Sequence, residues 1–90
     1  MYNYCTIFGV LKEVKKESKS LVLELTREFK NANGEFEKYQ IETYIGNLYD
    51  IVKDYIEESI GKKIVIKGRI EPQEDGKCIL VGERIMGMQD

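Results

Sequence analysis

Ninety residues with a mass of 10.5 kDa make one compact domain around one modest core and leave no room for a second. Hydrophobic residues at 42% and charged residues at 33%, with a net charge of −2, exclude a disordered chain, which needs fewer apolar groups and a larger net charge. The 14 Lys and Arg against 16 Asp and Glu also exclude a generally basic surface, so any site for a polyanion has to be local.

The absent residue types narrow the chemistry. There is no histidine, which removes the commonest general base, the commonest metal ligand and every Ser/His or Cys/His nucleophile pair. No enzymatic activity is expected and no cofactor or metal is implied. Cys5 and Cys78 fall short of the four ligands of a structural zinc site and form no CxxC pair, so both are expected to be small core hydrophobes. No apolar run approaches the ~18 to 20 residues that cross a bilayer, and Met1-Tyr2-Asn3-Tyr4 lacks a basic segment followed by an apolar one. The expected location is the cytoplasm, with both thiols reduced.

Tyr4 to Val14 is rich in β-branched and aromatic residues and contains Gly9, which inside a strand marks a bend or bulge. Its two faces are both apolar: Tyr4, Thr6, Phe8 and Val10 on one, Cys5, Ile7 and Leu11 on the other. One face fills a core and the other needs a cover, which a second copy of the chain supplies. A polar turn, Lys15 to Ser20, leads into a second strand in which Leu21, Leu23 and Leu25 alternate with Val22, Glu24 and Thr26, running to about Phe29. Asn31-Ala32-Asn33-Gly34 is hairpin-loop chemistry.

The third strand covers about Glu35 to Ile45, with Tyr39, Ile41, Thr43 and Ile45 as its best apolar face and Lys38, Gln40, Glu42 and Tyr44 outward. Asn47 stands as an N-cap before Leu48, Ile51, Val52, Tyr55 and Ile56, an amphipathic helical stripe of about three turns closed by Gly61. Ile64-Val65-Ile66 opens a fourth strand that passes Gly68 and ends at Pro72, and Asp75-Gly76 turns into a fifth strand from Lys77 to about Met88. Three strands, a helix and two strands in one domain is the order of the OB-fold, a five-stranded Greek-key β-barrel, with an open α+β sheet as the rival architecture.

Several stretches resemble the bacterial and phage single-stranded-DNA-binding protein family, in order and along nearly the whole chain. Arg27-Glu28-Phe29-Lys30-Asn31-Ala32-Asn33-Gly34-Glu35 is similar to the end of that family's second strand and its following loop. Asn47-Leu48 through the helix to Gly61, then Gly68-Arg69-Ile70, and Ile7-Phe8-Gly9-Val10-Leu11 resemble its helix, fourth strand and first strand. The resemblance implies an OB-fold that coats single-stranded DNA, with RNA not distinguished, in replication, recombination or DNA transfer. It also implies a homo-oligomer, dimer or tetramer, through strand one.

Three departures limit what carries over. The family generally ends in a flexible segment with an acidic tip, whereas this sequence stops at Gln89-Asp90, so recruitment through such a tip is not expected. Its long hairpin between strands four and five is cut to Glu71 through Lys77. Its tryptophans are absent, so stacking falls to Phe and Tyr. A small phage-, plasmid- or genome-encoded paralogue fits these departures.

Single strands are bound by aromatic faces on which bases stack, beside cations that track phosphates. Phe29 between Arg27 and Lys30 has that combination, the alternative being a core Phe that caps the barrel. On strand three, gapless alignment with the family favours Tyr39 as the stacking residue; the alternation favours Tyr44, because the alignment turns Glu42 into the core. Lys30, Lys38, Lys67, Arg69 and Lys77 are candidate phosphate contacts, each with a merely solvated surface side chain as its alternative. Glu24, Glu28 and Glu42 lie near the same path and weaken binding. The competing function is an OB-type protein-interaction module with little nucleic-acid binding.

Overall fold

The computed structural model describes residues 3–87. Its elements are β1 (Cys5–Lys15), β2 (Ser20–Lys30), β3 (Phe36–Tyr44), α1 (Leu48–Ile56) with a 3-10 turn over Glu57–Ser59, β4 (Lys63–Pro72) and β5 (Cys78–Gly87). The strands close into a barrel in the order β1-β2-β3-β5-β4. Among the described residues every pairing is antiparallel except β3 with β5, which run parallel and meet only at Thr43–Leu80 and Tyr44–Val81. This is the Greek-key barrel with a helix between strands three and four that the sequence predicts; the expected end of strand five at Met88 lies outside the described residues.

Closure depends on sharing β1 between two partners. Cys5 to Val10 pair with β4, and Val10 to Lys15 pair with β2, so the strand changes neighbours at Gly9-Val10. A Cβ on Gly9 would lie 2.8 Å from the Glu24 carbonyl oxygen, and one on Gly68 would overlap the Val81 carbonyl oxygen. Backbone approaches this close admit no side chain. The barrel turns its corners at these two glycines.

Leu11, Leu21, Leu23, Ile45, Val52, Ile56, Ile64 and Ile66 form the core, each side chain stabilising by about 1.5–3 kcal/mol. β2 is buried from Ser20 through Leu23, becomes half-buried at Glu24 and Leu25, and is exposed from Thr26 onward. The outer half of the β2–β3 hairpin therefore projects beyond the core. Tyr39 keeps the inward parity of Ile41 and Thr43 but lies on this projecting part and is 50% exposed, so it leaves the apolar face expected for it. Tyr44, facing outward, is 39% exposed; both tyrosines reach solvent, for different reasons.

Three other expectations are corrected. Of the helical stripe, Val52 and Ile56 are buried and Leu48 is half-buried, but Ile51 is 72% exposed and Tyr55 is exposed, while Tyr49 packs on the core. The buried direction passes through positions 49, 52 and 56, an arc narrower than the stripe. Asn47 makes no side-chain cap: its backbone is already helical (φ −65°, ψ −19°), and the chain enters α1 through turns in which the amides of Leu48 and Tyr49 donate to the carbonyls of Ile45 and Gly46. Finally, Cys5 is half-buried and Cys78 is exposed, because Cys78 opens β5 beyond the core; neither is a core residue.

Candidate nucleic-acid interface

The projecting hairpin is locked at its tip by Asn31. Its Oδ1 accepts from the amides of Asn33 (2.9 Å) and Glu35 (3.0 Å), its own amide donates to the Glu35 carbonyl (2.7 Å), and Gly34 takes the positive φ of 79° that the loop requires. Leu25 pairs with Tyr39 and Thr26 with Lys38, after which the register shifts and resumes at Lys30–Phe36. That irregularity spans Arg27, Glu28 and Phe29, where a bulged strand bends and re-aims its side chains.

Two cation–aromatic pairs result. The Arg27 guanidinium lies 5.9 Å from the Tyr39 ring centroid, and Lys30 Nζ lies 5.6 Å from that of Phe36. Phe29 is 78% exposed, so it does not cap the core. Together Arg27, Phe29, Lys30, Asn31, Glu37 and Tyr39 line an open depression of about 470 Å³ with Thr26 and Glu28. Flat apolar rings beside fixed positive charges suit a ligand of alternating bases and phosphates. Phe36 was not visible as a candidate from the sequence; its only signal was its place opposite Lys30 across the loop.

Tyr44 and Arg69 sit together at a second place. Because β3 and β5 pair over two residues only, the seam between them opens into a depression of about 470 Å³ lined by Ser20, Ile41, Glu42, Tyr44, Cys78, Ile79 and Leu80. Arg69 borders the adjoining hollow with Tyr44, Asn47 and Gln73, and its two terminal nitrogens reach Glu71 (3.1 Å) and Glu83 (3.3 Å). Lys77 stands in the β4–β5 loop, where its amide donates to Asp75 Oδ1 (3.0 Å).

Lys38 and Lys67 point elsewhere. Lys38 Nζ is 3.8 Å from Glu24 Oε1, on the opposite face of the hairpin from Tyr39. Glu24 and Thr26 there share a hollow with Phe8, Val10 and Lys63, and Lys67 shares another with Tyr4 and Thr6. Both lysines thus border the outer face of β1. On that face Phe8, 59% exposed, aligns with Val65 and Met86 across β4 and β5. Among the described residues, Cys5 to Gly9 pair with β4 alone, so one edge of this segment is open. Of the carboxylates expected near the path, Glu24 pairs with Lys12 and Lys38 and Glu42 with Lys15; Glu37, Glu71 and Glu83 were not anticipated. Among the described residues no group of three or more His, Cys, Asp or Glu is placed to hold a metal ion, and no helix is long and apolar enough to cross a membrane.

Comparison with solved structures agrees with this architecture. A mitochondrial single-stranded DNA-binding protein from S. cerevisiae superposes with a TM-score of 0.64 over 100% of this chain and 98% of its own, at 15% sequence identity. A Plasmodium falciparum SSB, solved in complex with ssDNA, gives 0.58 over 99% and 96% at 11% identity. A small single-stranded DNA-binding protein from Mycoplasma pneumoniae gives 0.55 over 100% and 98% at 13% identity. No protein-family model and no curated protein sequence matches the chain. At such low identity the likeness is one of architecture, and on it the described residues have the OB-fold seen in single-stranded DNA-binding proteins.

Proposed function

We propose that the chain binds single-stranded DNA, without catalysis and without sequence preference, along the β2–β3 hairpin. The observation that carries this reading is the depression where Phe29 and Tyr39 lie beside Arg27 and Lys30, on a part of the fold the core does not need, with the Phe36 ring under Lys30. Bases stack on the rings and phosphates meet the cations, with Tyr44, Arg69 and Lys77 extending the path across the β3–β5 seam. Covering exposed strands in replication, recombination or DNA transfer inside the cell is the corresponding role.

The outer face of β1, with Tyr4, Thr6, Phe8 and Val10, serves as the contact between copies, and linked sites raise avidity along one strand. Lys38 and Lys67, on that side, contribute to DNA binding only as long-range positive charge. Fluorescence anisotropy with labelled oligo-dT at low salt tests the reading. Binding that weakens with a log–log salt slope of about −1.4 to −2.1, as for two or three neutralised phosphates, is the expected result. No binding at tens of micromolar overturns it.

One observation favours a protein-interaction module instead: Arg27, Lys38 and Arg69 are each already paired with a carboxylate. A salt-insensitive protein partner in the absence of DNA binding selects that second reading.

A further inference from the structure

The cations of the proposed path fall into two classes. Arg27 Nε lies 3.4 Å from Glu37 Oε2, and Arg69 is forked between Glu71 and Glu83 at 3.1 and 3.3 Å. Lys30, by contrast, sits over a ring, and among the described residues neither it nor Lys77 is in an ion pair. The planar guanidinium fork that suits a phosphate suits a carboxylate equally well. Each arginine is therefore already occupied by an anion of the chain itself.

We propose that Glu37, and Glu71 with Glu83, are intramolecular competitors for the phosphate sites, so that a strand enters by exchanging carboxylate for phosphate at Arg27 and Arg69. This rests on the single-strand-binding reading above. The exchange sets a threshold: an isolated phosphate gains little by displacing a tethered carboxylate, whereas a polymer already anchored on Phe29 and Lys30 presents its next phosphate at high local concentration. Glu37 serves a second purpose while the site is empty. Its pull, with the Tyr39 ring beneath, biases the exposed Arg27 side chain toward the hairpin. The exchange also changes the salt dependence, because a carboxylate released next to a bound phosphate takes up a counterion and cancels part of the release that drives association.

The test measures oligo-dT isotherms across salt for the wild type and for Glu37→Gln, with Glu58→Gln as a control that makes the same change in net charge on the 3-10 turn after α1. Both side chains are exposed, so folding is not at risk. Glu37→Gln is expected to tighten binding about two- to fivefold, the range of an exposed ion pair, and to steepen the log–log slope by about 0.7. Glu58→Gln is expected to change affinity by less than about 1.5-fold, since screening removes a remote charge. In an Arg27→Gln background the gain from Glu37→Gln disappears, which isolates the pair. The double change Glu71→Gln with Glu83→Gln gives a gain of the same sign at Arg69.

A wild-type protein that binds while Glu37→Gln is unchanged, equals Glu58→Gln or keeps its gain without Arg27 overturns the competition at Arg27 and leaves the binding reading standing. An unchanged Glu71→Gln with Glu83→Gln variant overturns it at Arg69. No binding by any variant overturns both readings together.

Discussion

Replacing Phe29 by Ala tests whether the proposed stacking residue serves binding rather than folding. A fully buried Phe stabilises by about 1.5–3 kcal/mol, and with 78% of Phe29 in solvent only about a fifth of that burial exists, which leaves about 0.3–0.7 kcal/mol. For a domain of this size that lowers Tm by roughly 1–5 °C. Loss of a stacking partner costs about 1–3 kcal/mol in binding, or about 5- to 150-fold in Kd. Leu23→Ala gives the reverse pattern, since Leu23 is wholly buried and its truncation costs about 2–5 kcal/mol of stability. Thermal unfolding followed by circular dichroism, beside anisotropy titrations at one fixed salt concentration, measures both quantities for both variants. A Phe29→Ala protein that melts more than about 8 °C early, or that binds as tightly as wild type, refutes the assignment, the threshold following from the same conversion of free energy to Tm.

The remaining predictions concern closure, assembly, the seam and pH. Gly68→Ala forces a Cβ into the Val81 carbonyl with backbone of Gly82 at 3.0 Å, where no flexible side chain can yield; a loss of at least about 2 kcal/mol, or roughly 8–16 °C in Tm, is expected by calorimetry. Phe8→Glu places a charge at the centre of the outer β1 face and is expected to convert an oligomer to monomer in light scattering while leaving the monomer folded. Cys78 is exposed beside Tyr44 and Ile79 whereas Cys5 is half-buried, so a maleimide labels Cys78 first in the native protein, and with the proposed path across the β3–β5 seam a bulky label there is expected to reduce DNA affinity. The Lys16 ammonium, hydrogen-bonded to Glu57 at 2.8 Å, has its pKa raised above the ordinary lysine range, first by that hydrogen bond and then by the charge of Glu57. Its stabilising effect is fully present around neutral pH and is lost as pH rises through the raised value, so urea midpoints of wild type and Lys16→Met differ equally at pH 6 and pH 8 and converge in strong alkali.

The fold was legible because local signals agreed with one another. The alternation of Leu21, Leu23 and Leu25, the Asn-Gly loop, the helical spacing after Asn47 and the two bend glycines each point to the same barrel. What pattern reading missed lies where an element outruns the core. Tyr39 has inward parity but no interior to enter, and Cys78 begins a strand before that strand reaches the barrel. Parity assigns a face; only the extent of the core says whether the face is covered. The site was legible as a segment and not as a constellation: Arg27, Phe29 and Lys30 are adjacent in sequence, while Phe36 and Glu37 reach them across a loop through a shifted register. A bulge between Thr26 and Lys30 moves partners by two positions, and no single-residue propensity announces it.

On the proposed reading, the two faces of the projecting hairpin let a nearly neutral chain separate two tasks. On one face Arg27 and Tyr39 look onto the depression beside Phe29; on the other Lys38 is held by Glu24 next to Phe8 and Val10. A second copy laid on the outer face of β1 desolvates Lys38 and Lys67 far more than Arg27 or Lys30. Charges near such a contact must then be paired: Lys38 already is, whereas Lys67, in no ion pair among the described residues, has to meet a carboxylate of the second copy. The cations that the proposed path then leaves for phosphates are Arg27, Lys30, Arg69 and Lys77, of which two begin paired with carboxylates. A shallow salt slope and an affinity that rises with strand length are therefore two consequences of one arrangement, and an assembly variant such as Phe8→Glu has to weaken binding to long strands while sparing binding to a short oligonucleotide that fills a single site. Equal losses on both lengths would place Phe8 on the DNA path and collapse the separation of faces.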